Sequence, residues 1–135
     1  MLKLVQANGS GQGPAAIADQ MIPRLLGETT RHRRPDIVEH VRSLILANSS
    51  ESIAAMISAL MNRPDSTPLL ADLRLPTLIV VGEEDVITPP SVARAMQHSI
   101  RGSELIVIPS AGHLSSLEQP EAFNDALAQF LSHRI

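Results

Sequence analysis

The 135-residue chain reads as an α/β protein, with a helical segment over residues 1–72 followed by a β-α-β-α unit with parallel strands over residues 73–135. Three observations predict this. Apolar residues recur at helical spacing to about residue 73, and then the period changes. Two short apolar runs follow, Leu78–Val81 and Leu105–Ile108, continuous and rich in β-branched residues, as strands buried on both faces of a parallel sheet read. Each run leads into a turn carrying one reactive side chain, Asp85 in Gly82-Glu83-Glu84-Asp85 and His113 in Pro109-Ser110-Ala111-Gly112-His113.

Residues 1–13 close with Asn8-Gly9-Ser10-Gly11-Gln12-Gly13, a loop or linker whose glycines match neither phosphate-binding pattern. Pro14 opens a helix with Ile17, Met21 and Leu25 on one side. Pro23 inside it predicts a kink or break near Ile22, and Gly27 ends it. Residues 29–34, TTRHRR, read as a polar, basic connector with His32 at the surface. Pro35 and Asp36 start a second helix, with Ile37, Val38, Val41, Leu44 and Ile45 along one side. Ser50 is placed to cap a third helix reaching Met61. Its stripe of Ile53, Met56, Ile57 and Leu60 predicts burial, with Met56 and Met61 as core filling. A short helix from Ser66 to about Leu73 completes this half.

Beyond the first strand, Pro89-Pro90 begins a helix to about His98, with Val92, Ala93 and Met96 facing inward. The second strand covers Ser103–Ile108. Glu118–Ile135 is the closing amphipathic helix, with Phe123, Ala126, Leu127, Phe130 and Leu131 toward the sheet. A right-handed crossover makes the strands parallel and brings Asp85 and His113 to the same sheet edge. Ligands and chemistry gather at that edge in open α/β sheets.

Composition narrows the function classes. Hydrophobic residues make up 44% of the chain, yet it has two Phe and neither Trp nor Tyr. With a net charge of −3 and no aromatic platform, nucleic-acid binding is not expected. The absence of cysteine excludes disulfides, thiolate nucleophiles and Cys-based metal sites. His40, His98 and His133 lack paired spacing for a metal and read as surface or partly buried residues. The N-terminus lacks the apolar core of a signal peptide, and no apolar run approaches membrane-span length. The expectation is a cytoplasmic protein without membrane contact.

The stretch GEEDVITPP, followed by IPSAGHLSSLEQPEAFNDALAQFL, resembles the C-terminal portion of the α/β-hydrolases. The likeness is strong over residues 73–135 and weaker over 14–72, which look like the helical cap. It implies a partial α/β-hydrolase fold in which Asp85 is the triad acid and His113 the triad base, in the chain order Ser, Asp, His. Glu83 and Glu84 are rival acids by position; the family pattern selects Asp85, leaving both glutamates to solvent. Arg63–Leu70, RPDSTPLL, is reminiscent of the enol-lactonase and carboxylesterase branch. No cofactor is implied.

A G-x-S-x-G nucleophile elbow is absent from these residues. Ile108-Pro109-Ser110-Ala111-Gly112 lacks its first glycine and shares the histidine's strand, while Ser10 has no strand before it. The expectation is therefore an incomplete site, inactive alone, that acts on a small ester or lactone once a nucleophile is supplied. Either a homo-oligomer or a complementing N-terminal half is the expected partner, since a two-stranded sheet leaves its edges open. The alternative is a non-catalytic, self-associating module.

Overall fold

A computed structural model describes residues 13–132; Ser10, His133 and the last residues of the helix expected over Glu118–Ile135 lie outside them. In chain order the elements are helices α1 (Pro14–Leu25), α2 (Glu28–Arg33), α3 (Pro35–Leu46) and α4 (Ser50–Met61), then a 3-10 turn over Thr67–Asp72. Strand β1 (Leu78–Gly82), helix α5 (Pro90–Ser99), strand β2 (Glu104–Ile108), and helices α6 (Ser115–Glu118) and α7 (Pro120–Ser132) follow. The strands pair in parallel, from Leu78 opposite Glu104 to Gly82 opposite Ile108. Both strands therefore leave the sheet at one edge, after Gly82 and after Ile108.

Side chains alternate between sheet faces. Ile79, Val81, Leu105 and Val107 share the face against α5, where Ala93 and Ile100 complete a core. Leu78 and Val80, on the other face, are only half-buried, so β1 is not buried on both sides as its apolar run predicts. A second core forms where α1 crosses α3, around Ala18, Ile22, Leu26 and Val41. Leu114 and Leu117 pack against it, which joins the helices to the loop carrying His113.

Several expectations need correction. α1 runs unbroken through Pro23. The bond Pro23 cannot make would point to the carbonyl of Asp19, and both residues are exposed, so solvent takes the orphaned acceptor. Residues 28–33 form a helix rather than a connector. Glu28 in its first turn and Arg31 and Arg33 in its last complement its dipole, and Thr30 is its one buried residue. The cap of α4 is Ser49, whose hydroxyl accepts from the amide of Ser52 at 3.2 Å. α4 buries none of its residues. Met56 is 64% exposed and Met61 52%, so neither fills a core. In α5 only Ala93 is buried; Val92 and Met96 are exposed. The last helix starts at Pro120, after the separate turn α6, and buries only Ala126, leaving Leu127 and Leu131 exposed. Apolar periodicity identified these helices, but not how much of each stripe meets a neighbour. No single helix among the described residues is long and apolar enough to cross a membrane.

Candidate active site

β1 ends at Gly82, where the chain must turn against the loop leaving β2. A Cβ on Gly82 would land on the carbonyls of Ala111 and Gly112, so only glycine permits this approach. The amide of Glu83 donates to the carbonyl of Ile108 at 2.9 Å and that of Glu84 to Ala111 at 2.8 Å. The two turns are thus sewn together immediately beyond the sheet. Ser110, in the second turn, takes the left-handed conformation with φ of 56°, uncommon for a residue with a side chain.

Asp85 is 5% exposed and has all its acceptor capacity engaged. One carboxylate oxygen, Oδ1, accepts from the amides of Ile87 and Thr88, at 2.8 and 2.9 Å. The other, Oδ2, accepts from the Thr88 hydroxyl at 2.9 Å and from Nδ1 of His113 at 2.8 Å. Burial by itself pushes this carboxyl up. The Thr88 amide, the His113 ring, the Ile87 amide and the Thr88 hydroxyl outweigh burial and hold it below the usual aspartate value.

The ionised Asp85 can only accept, so Nδ1 of His113 carries a proton, and in the neutral ring the lone pair lies at Nε2. Among the described residues, the ring's hydrogen-bonding contacts are all made at Nδ1, to Asp85 and, at 3.3 Å, to the Thr88 hydroxyl. The His113 side chain is 34% exposed. Such an arrangement can serve as an oriented general base through Nε2. No serine hydroxyl among the described residues bonds to it.

Two further carboxylates, Glu84 and Glu118, shape the site by holding backbone amides. Glu84, expected in solvent, is half-buried; it accepts from the amide of Thr29 at 2.8 Å and from the Thr29 hydroxyl. Burial opposes its charge, but Thr29, the Glu28 amide and the Arg31 charge together keep its carboxyl below the ordinary range. Glu118, read as the start of the closing helix, is 1% exposed and accepts three backbone amides, from Gly27, Gly112 and Leu114. Both grip the α1–α2 junction, which touches the loops bearing Asp85 and His113 only in the folded chain. Glu83 is exposed as expected, with a long contact from the Ser110 amide at 3.3 Å. His32, His40 and His98 are all exposed, and among the described residues no three acidic or histidine side chains converge on a metal position.

Between α1, α3 and α4 lies a cavity of about 240 Å³. Met21, Leu25, Val41, Ile45, Ile53 and Leu114 line it, with Asn48 as a polar exception. Leu25 and Leu114 also belong to the histidine loop's surroundings: the amides of His113 and Leu114 both donate to the Leu25 carbonyl, at 3.0 and 3.3 Å. The apolar space therefore begins one residue from His113.

Comparison with known proteins gives a consistent result. A family model described as TAP-like protein matches residues 46–133. The chain is 31% identical over 116 residues to 3-oxoadipate enol-lactonase 2 of Acinetobacter baylyi, across 86% of this chain and 43% of that protein. It is 38% identical over 61 residues to the pimeloyl-[acyl-carrier protein] methyl ester esterase of Neisseria meningitidis, across 45% of this chain and 24% of that enzyme. Among solved structures, a thermophilic esterase from Thermogutta terrifontis superposes with a TM-score of 0.87 at 40% identity, covering 97% of this chain and 48% of the esterase. The chain spans less than half the length of these two curated relatives and about half of the solved structure.

Proposed function

The chain belongs to the α/β-hydrolase superfamily, and from that premise we propose that it supplies the acid and base of a Ser-His-Asp site that hydrolyses a small ester or lactone. The observation that carries the proposal is the buried Asp85 carboxylate holding Nδ1 of His113 at 2.8 Å, with Nε2 directed away from the acid. His113 takes the serine proton at Nε2 and later returns it to the leaving group. Asp85 maintains the tautomer and stabilises the imidazolium. The nucleophile comes from an elbow outside these 135 residues, and the chain alone is inactive. The cavity between α1, α3 and α4 receives the apolar part of the substrate, with these helices acting as the cap. The enol-lactonase and esterase relatives support the ester or lactone class.

The test has two steps. The chain is first treated with a fluorophosphonate probe and read by intact mass; no adduct is expected. It is then mixed with the part of the Thermogutta esterase that this chain does not cover, and ester turnover is measured. Turnover that appears on mixing and disappears with His113→Ala supports the proposal. An adduct on a serine of the chain alone refutes the external nucleophile.

A second reading, a non-catalytic self-associating module, draws on the apolar side chains of α4 and the segment after it. Leu60 is 60% exposed, Leu69 63% and Leu75 74%. Analytical ultracentrifugation separates the readings: association that persists while mixing yields no turnover favours the module.

A further inference from the structure

We infer that Glu118 is a positioning residue for His113, acting on the histidine through the backbone on either side of it. Glu118 is almost wholly buried, and a carboxylate tolerates burial only when its lone pairs are used. Here they are used by amides. Oε1 accepts from Gly112 at 2.9 Å and Leu114 at 3.1 Å, the residues immediately before and after His113. Oε2 accepts from Gly27 at 2.8 Å.

The amide between those two, of His113 itself, donates to the Leu25 carbonyl at 3.0 Å. Leu25 and Gly27 belong to one short junction, so three consecutive amides of the histidine loop are fixed to a single frame. Sterics reinforce this, since a Cβ on Gly112 would collide with the amide nitrogen and Cα of Gly27. With the backbone held on both sides, the ring retains only its two side-chain torsions, and the bond to Asp85 sets those. A carboxylate that served merely as a helix cap would need its bond to Leu114 alone. The bonds to Gly112 and Gly27 lie outside α6 and serve the loop.

The inference rests on the reading of His113 as base, but its test does not use turnover. The full chain is studied by NMR, following the His113 Nδ1 proton that bridges to Asp85 and its exchange with water. Three variants are compared: Glu118→Gln, Glu118→Ala, and Ile100→Ala, which opens the buried core beside α5 away from this loop. Gln keeps one acceptor oxygen and turns a donor toward the remaining amides. It should speed exchange of the Nδ1 proton by about tenfold, the loss of one charge-assisted hydrogen bond. Ala should abolish the signal, and Ile100→Ala should leave it as in the wild type. Unchanged exchange in folded Glu118→Gln, or an equal effect from Ile100→Ala, overturns the inference. If neither Glu118 variant folds, amide exchange in the wild type decides: protection of Gly27, Gly112 and Leu114 together supports the frame, and free-peptide exchange at Gly112 or Leu114 overturns it. Failure of the ester assay with this NMR pattern intact would count against the base, leaving Glu118's effect on the ring standing.

Discussion

The loops around His113 and the helix α4 are built on opposite terms. Around His113, Asp85, Glu84 and Glu118 each accept bonds from groups far away in sequence or across a turn, and Gly27, Gly82 and Gly112 leave no space for a side chain. α4 buries no residue, and its Met56, Leu60 and Met61 are each more than half exposed. The difference teaches that this chain organises its Asp85–His113 pair with its own residues. The apolar side of α4 takes no part in that organisation. Its ordered start depends on a local device, the Ser49 cap.

Substitutions in the two regions should therefore differ in effect, and the largest is expected at Gly82. Gly82→Ala forces a methyl group into the carbonyls of Ala111 and Gly112; about 3 kcal/mol or more of stability should be lost, read as a shift in the urea midpoint. An alanine tolerated there would mean the two turns separate easily, which would remove the contrast.

Acid titration probes the same region through Asp85. Its carboxyl is lowered in the folded chain, so the folded state binds this proton more weakly than the unfolded one. Its contribution is complete above the unfolded aspartate value of about 3.9 and is lost as pH falls through the lower folded value. Asp85→Asn should lower stability at neutral pH and flatten the acid limb of the stability profile. In a complemented enzyme the same change should reduce kcat by roughly 10⁴-fold, because the amide no longer enforces the tautomer. An acid limb as steep in the variant as in the wild type would show that other groups govern it.

Thr29→Val offers a smaller effect. It removes the hydroxyl bonded to Glu84 and keeps the amide bond, so the cost should be about 1–2 kcal/mol. Thermal melts of Thr29→Val, of Glu84→Gln and of the double variant should reveal non-additivity, since the residues share a bond. At the other end, Met56→Ser with Leu60→Ser should change the isolated chain's stability by less than about 0.5 kcal/mol per site, while reducing self-association in sedimentation. A large stability loss there would show that α4 is buried in solution, which would break the comparison.

Legibility in the sequence followed the range of the physics involved. The apolar runs at Leu78–Val81 and Leu105–Ile108 carry the strand signal locally, and the structure has strands there. The stripe in residues 35–46 marks α3 in the same way. That Asp85 and His113 share an edge was readable because parallel strands joined by one helix must exit together. Glu118 was not readable as a ligand of the histidine loop: its partner Gly27 is 91 residues away, and nothing local marks a glutamate for burial. The one available signal was its place shortly after the histidine, at the start of a helix, where a carboxylate can reach back to free amides.

By itself, then, the sequence determined most of the element types, the order of Asp85 and His113, the superfamily and the absence of a nucleophile elbow within these residues. Each follows from short-range patterning or from a motif continuous in the chain. Only the tertiary structure decided which apolar stripes are covered, that Pro23 leaves α1 whole, and that Glu84 and Glu118 bind the α1–α2 junction to the turns bearing Asp85 and His113. Those outcomes depend on which surfaces and backbone amides meet across long stretches of chain. No local propensity encodes such meetings, because they exist only once the chain has closed on itself.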